Sequence, residues 1–154
     1  MDIEIRDLPA FSVLGREGST EDGAGFIAAL WQAANENFAQ IAPYVLYGEN
    51  GAPQRLWGLM SDFSRALHPW EEDFSRGLYL AGAQCMPGAP VPEGWRKWDV
   101  PALRMAFVPV CDDTSAAFAQ GLAYLEQNGL SMAAAAFDLT LPEEGRSFVC
   151  FPIG

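Results

Sequence analysis

The sequence predicts an α+β fold made of two strand–helix–strand–strand units with antiparallel pairing. Three observations carry this. A shift of 92 residues lays Pro9-Ala10-Phe11 on Pro101-Ala102-Leu103, and Ala24, Phe26 and Leu30 on Ala116, Phe118 and Leu122, the mark of an internal repeat. Each copy continues into two strands with no helix between them, which favours antiparallel pairing over a doubly wound sheet. Half of the 154 residues are hydrophobic and only 19% are charged, so the chain can bury a substantial core. At roughly 150 residues per domain, the expectation is a single domain over 1–154, with halves of about 1–88 and 95–154.

The elements follow in order. Ile3–Arg6 and Phe11–Arg16 read as strands. Phe26, Leu30, Ala33, Ala34, Phe38 and Ile41 recur at helical spacing, with Ser19, Thr20 and Asp22 as N-cap candidates and Pro43 as the stop. Leu56–Phe63 and Gly77–Cys85 complete the first unit as strands, and the Gly- and Pro-rich runs 48–53 and 87–94 are linkers. Leu103–Val108 opens the second unit. A helix follows, with Phe118, Leu122 and Leu125 on one face, Asp113 or Thr114 as cap and Asn128-Gly129 as terminator. Ala134–Leu139 and Phe148–Ile153 are the last two strands.

Charge narrows the function. Nine Lys and Arg against 20 Asp and Glu give a net charge of −11, which repels phosphate backbones and anionic membranes and favours the approach of cations. Direct nucleic-acid binding and membrane association are therefore not expected. Met1-Asp2-Ile3-Glu4 lacks the basic, apolar start of a leader. Cys85, Cys111 and Cys150 are an odd, widely spaced set without a Cys-x-x-Cys pair, as expected of free thiols in a cytoplasmic protein. Neither a cofactor nor a metal is called for.

Few motifs carry chemistry. The single histidine, His68, precedes a proline in a loop and reads as a surface residue. Gly23-Ala24-Gly25-Phe26-Ile27-Ala28 spells a dinucleotide fingerprint, but Glu21 and Asp22 would repel a pyrophosphate. The acidic pairs at 71–73, 112–113 and 143–144 read as solvated charge or caps. Asp138 is different: it sits within the apolar run 133–139, so it either faces outward or enters a pocket with a partner. Trp57, Phe63, Tyr79, Phe107, Phe137 and Phe151 fall on strands, where aromatics fill a core or line an apolar ligand site.

An ordered series of segments resembles one family. Leu56-Trp57-Gly58-Leu59, Leu78-Tyr79-Leu80-Ala81-Gly82-Ala83-Gln84-Cys85, Pro92-Glu93-Gly94 with Val100-Pro101-Ala102, Phe137-Asp138 and Phe151-Pro152-Ile153 are similar to the GyrI-like small-molecule-binding domains. These are related to the effector-binding domains of AraC-type and MerR-type transcription regulators. The resemblance implies a duplicated fold with a ligand cleft between the halves. It also implies binding of apolar or aromatic molecules, cations among them. Gln84 stands where the family has a glutamate, and Asp138 where a second glutamate is common. Strand alternation sets Gly82 and Gln84 on one face and Tyr79 on the other.

The expected function is a free-standing small-molecule binder acting as effector sensor or sequestering protein, with a protein partner if it regulates. The ligand-binding candidates are Trp57, Tyr79, Gly82, Gln84, Phe107, Phe137 and Asp138. One alternative is a hydrolase of strained or activated small molecules using Trp57, Asp138 and a water oriented by Gln84, with Asp138 as the catalytic candidate. The other is an acidic inhibitor of a DNA-binding enzyme such as gyrase.

Overall fold

The computed structural model describes residues 3–154; Met1 and Asp2, which open the stretch read above as lacking a leader, lie outside it. Eight strands form one antiparallel sheet: β1 (Glu4–Leu8), β2 (Phe11–Ser19), β3 (Leu56–Ser61), β4 (Leu78–Cys85), β5 (Arg96–Val100), β6 (Leu103–Pro109), β7 (Phe137–Leu141) and β8 (Arg146–Ile153). The helices are α1 (Phe26–Glu36), a single turn α2 (Glu71–Phe74) and α3 (Thr114–Gln127). Across the sheet the order is β1-β6-β8-β7-β3-β4-β2-β5. The predicted duplication is present: β2-α1-β3-β4 is matched by β6-α3-β7-β8, and the halves meet where β3 pairs with β7.

The first strand of each half is preceded by an edge strand that belongs to the other half. β1 leads into β2 but pairs with β6, and β5 leads into β6 but pairs with β2. Glu4 faces Phe107 and Leu8 faces Leu103; beyond the gap, Phe11 faces Val100 and Gly15 faces Arg96. The residue numbers of each pair keep one constant sum throughout, so two long strands form a single ladder interrupted at Pro9-Ala10 and Pro101-Ala102. Proline has no N–H to donate, which explains the break. The self-match that revealed the repeat thus marks the crossing point of the two halves.

The sheet curls into a half-barrel. Its inner face packs on itself in one apolar core that draws Phe11, Trp57 and Leu80 from the first half and Met105, Phe137 and Phe148 from the second. The outer face carries the helices, α1 over Leu14 and Ala83 and α3 over Val108 and Phe151.

Three expectations need correction. The first helix ends at Glu36 rather than reaching Pro43, because Asn37 turns back and its side-chain amide donates to the Ala33 carbonyl at 2.8 Å. The expected caps, Ser19 and Asp22, close a 3₁₀ turn at Thr20–Asp22 instead. The strand β5 escapes the sequence because charged Arg96, Lys97 and Asp99 surround its two inward residues, Trp98 and Val100. The second helix does begin under Asp113, whose carboxylate accepts from the Ala116 N–H at 2.7 Å.

One polar cluster fastens β5 to β2. The Glu17 carboxylate accepts from Arg65 Nε at 2.8 Å and from Trp98 Nε1 at 2.9 Å, and Arg96 lies 3.2 Å away. Burial alone would raise this acid's pKa, but the Arg65 and Trp98 hydrogen bonds and the two guanidinium charges outweigh it and hold it below the usual glutamate value. A depressed acid stabilises the fold above its unfolded pKa, and that contribution is lost as pH falls through the folded one. Both arginines are about half exposed, so screening limits the gain. Glu17→Gln should therefore lower stability by about 1–3 kcal/mol at neutral pH. The loss should shrink on acidification, measured as the urea midpoint from pH 7 down to pH 3.

Candidate functional site

The seven candidate residues divide between the two faces of the sheet. Trp57, Gln84, Phe107 and Phe137 point inward. Trp57 and Phe137 are fully buried. The Trp57 ring stacks on Phe11 with centroids 4.7 Å apart and meets the edge of Phe137 at 6.2 Å. Its indole Nε1 donates to Gln84 Oε1 at 2.9 Å. Gln84 thus supplies the one acceptor that a buried indole needs. The space over Gly82 is already taken: a Cβ there would lie 2.0 Å from the Leu14 carbonyl oxygen. The missing side chain lets β2 and β4 close on one another where Gly82 faces Gly15.

Tyr79 and Asp138 lie on the helix-bearing face, at the junction of the halves. Gly58 on β3 stands between them, and a Cβ at Gly58 would sit 1.8 Å from the Tyr79 hydroxyl. Glycine there lets Tyr79 reach across β3. Its hydroxyl donates to Asp138 Oδ2 at 2.8 Å and accepts from Trp31 Nε1 at 3.1 Å. A chain of two hydrogen bonds therefore links α1 and β4 of the first half to β7 of the second. Burial lifts the Asp138 pKa above the usual aspartate value, and the Tyr79 hydrogen bond only partly offsets it. Burial and the adjacent carboxylate together push the Tyr79 hydroxyl well up.

Beside this chain lies an apolar cavity of about 160 Å³, lined by Met60, Pro69, Trp70, Phe74, Phe118 and Ala136. Met60 is the register partner of Tyr79, and Ala136 precedes Asp138 by two residues, about 7 Å along an extended chain. Phe118 belongs to α3, and Trp70 packs on Phe26 of α1 with centroids 6.4 Å apart. The cavity thus lies between the two helices. Trp31, Met60, Trp70 and Phe118 were not singled out from sequence as site residues. Trp31 escaped because it lies beside the apolar stripe of α1 rather than on it, and Trp70 because its loop shows no periodicity. His68 is exposed, 3.4 Å from Asp62. No cluster of metal-ligating side chains, and no helix long and apolar enough to cross a membrane, occurs among the described residues.

Solved structures share this architecture. SAV2435 bound to tetraphenylphosphonium matches with a TM-score of 0.66 at 15% identity, over 100% of this chain and 94% of that one. The C-terminal domain of EcmrR matches with a TM-score of 0.66 at 12% identity, over 99% and 97%. A putative bacterial transcription regulation protein from Staphylococcus aureus MU50 matches with 0.63 at 14% identity, over 99% and 98%. The chain shares the fold of these structures, in keeping with the resemblance to the GyrI-like domains. No family model and no curated protein matches the sequence, so the likeness is one of architecture.

Within this fold, the segment 78–85 splits its residues by alternation. Leu78, Leu80 and Gln84 turn to the inner core, and Tyr79 turns to the cleft between the helices. Gln84→Leu leaves the Trp57 N–H buried without an acceptor and should lower stability by about 1–3 kcal/mol. Gln84→Glu buries a charge and should destabilise at neutral pH. It should recover as pH falls, because desolvation raises the new acid's pKa and protonation relieves the penalty. Denaturant midpoints at pH 7 and pH 5 check both. A fully stable Gln84→Leu protein would show that the indole hydrogen bond contributes nothing.

Proposed function

We propose that the protein binds an aromatic cation in the cleft between α1 and α3, as an effector sensor or a sequestering protein. The observation that carries the reading is the Asp138 carboxylate, partly buried in aromatic surroundings with no cationic partner among the described residues. A hydroxyl steadies such a carboxylate without neutralising it, so a bound cation would recover the electrostatic energy lost on burial. Trp70, Phe74 and Phe118 offer ring faces and edges beside it. Glu71, Glu72 and Asp73 lie in the turn between Trp70 and Phe74, and with the net charge of −11 they favour cation approach. The likeness to a structure holding tetraphenylphosphonium, a cation with four phenyl rings, supports the same chemistry.

Asp138→Asn keeps an acceptor for Tyr79 and removes the charge. Tetraphenylphosphonium affinity should fall about tenfold or more, ~1.4 kcal/mol, while the unliganded protein melts at the same or a higher temperature. In the wild type, affinity should weaken as pH falls through the raised Asp138 pKa, because the neutral acid no longer attracts the cation; the variant should be flat. Calorimetric titration from pH 8 to pH 4.5 checks both. Equal affinity in wild type and variant would refute the role of Asp138.

The cavity is smaller than the ~300 Å³ at which ordinary ligand sites begin, so a multi-ring ligand enters by displacing its wall. The turn α2 is suited to this. Glu72, Asp73 and Phe74 hold φ of 50°, 59° and 62°, a left-handed run that costs roughly 1–2 kcal/mol per non-glycine residue. Phe74 is 44% exposed and rests edge-on against Phe118 at 5.5 Å. Phe74→Ala should speed tetraphenylphosphonium association in stopped-flow measurements. An unchanged rate would mean that this turn is not the gate.

A further inference from the structure

We propose a second ligand site, at the open end of the inner face, that takes a small carboxylate with a flat apolar body. It is independent of the cleft between the helices and of opposite charge preference. A cavity of about 290 Å³ opens there, with Phe107, Leu139 and Phe148 as its apolar floor and Arg6, Arg55 and Arg146 at its rim. Three of the chain's nine basic residues therefore converge on one mouth.

Strand alternation puts them there. Arg146 lies two residues before Phe148 on β8 and Arg6 two before Leu8 on β1, and Arg55 lies just before β3, two residues before Trp57. The Arg6 guanidinium lies 5.5 Å from the Phe107 ring centroid and that of Arg146 lies 4.8 Å from the Phe148 centroid. The two rings meet edge-on at 5.7 Å. Phe107, singled out from sequence as a ligand residue, is thus part of a different cavity from Tyr79 and Asp138.

The acids at this mouth are already engaged. Glu143 accepts from the Asn50 backbone N–H at 3.0 Å, Glu144 lies 3.8 Å from Arg146, and Arg6 pairs with Glu4. The Arg55 guanidinium has no hydrogen-bond or ion-pair partner among the described residues, yet it lines the cavity. The planar Arg55 guanidinium with its free donors, at the same mouth as two guanidiniums that lie over aromatic rings, fits a carboxylate held by two parallel hydrogen bonds. The phenylalanine floor fits the apolar body that such a ligand carries.

The probe is 2-naphthoate, titrated by its fluorescence against the intact protein, with 2-naphthalenemethanol as the neutral comparison. Naphthoate should bind the wild type more tightly than the alcohol. Arg55→Gln should weaken naphthoate about tenfold and leave the alcohol, the melting temperature and tetraphenylphosphonium binding unchanged. Arg55→Lys should recover only part of the loss, because an ammonium cannot make the paired contact. Saturating tetraphenylphosphonium should not displace naphthoate, which separates this site from the helix-side cleft whether or not that cleft binds cations. Absence of naphthoate binding at millimolar concentration, equal affinity in Arg55→Gln, or displacement by tetraphenylphosphonium would each overturn the assignment.

Discussion

The constraint on which the structure depends is the ladder that β1–β2 and β5–β6 make with one another. It keeps one register through both proline breaks, so the position of each half is set by backbone pairing as well as by the core. Because the strands cross there, the inner faces of the two halves turn toward each other and bury a common set of aromatics. The outer faces are left for the helices. The junction of β3 with β7 falls at the far side of the curl, and there residues of both halves converge on Tyr79.

Two partly buried acids show how surroundings decide a carboxylate's role. Glu17 is met by two guanidinium groups and an indole, so its charge is compensated within the protein and its pKa falls. Asp138 is met by one phenol, and its pKa rises. The first is part of how the sheet edge is held. The second has no cationic partner among the described residues and lies near an apolar cavity, and this is why the proposed binding chemistry centres on it. The arginines at the end of the inner face present the reverse case, with more donors than the neighbouring acids use.

Much of the fold was legible in the sequence because periodicity and punctuation report on local backbone. The repeat, its helices and most strands follow from apolar spacing and from the Pro-Ala pairs. The edge strand β5 was not legible, since a strand with one paired side and charged outer residues has little hydrophobic pattern. The site was less legible for a different reason. Alternation told which residues of 78–85 share a face but not which face carries the helices, so it left Gln84 and Gly82 or Tyr79 equally open as the residues of the helix side. Only the structure joins Trp31, Tyr79 and Asp138, which lie far apart in the chain and meet across a glycine.

The exchanged edge strands bear on how the chain acquires its fold. The partners in the β1·β6 pair are about a hundred residues apart in the sequence, and little of that ladder can form until both halves exist. Non-local pairing of this kind slows folding, because loop closure must precede the contacts that reward it. It also means that the repeat is not modular: a half cut at the linker between β4 and β5 would lose its own outer strand and carry one that fits only its twin. Two such fragments, or two chains meeting while incompletely folded, could satisfy each other's open edges. The same crossing that closes one molecule is thereby a route to exchange between two.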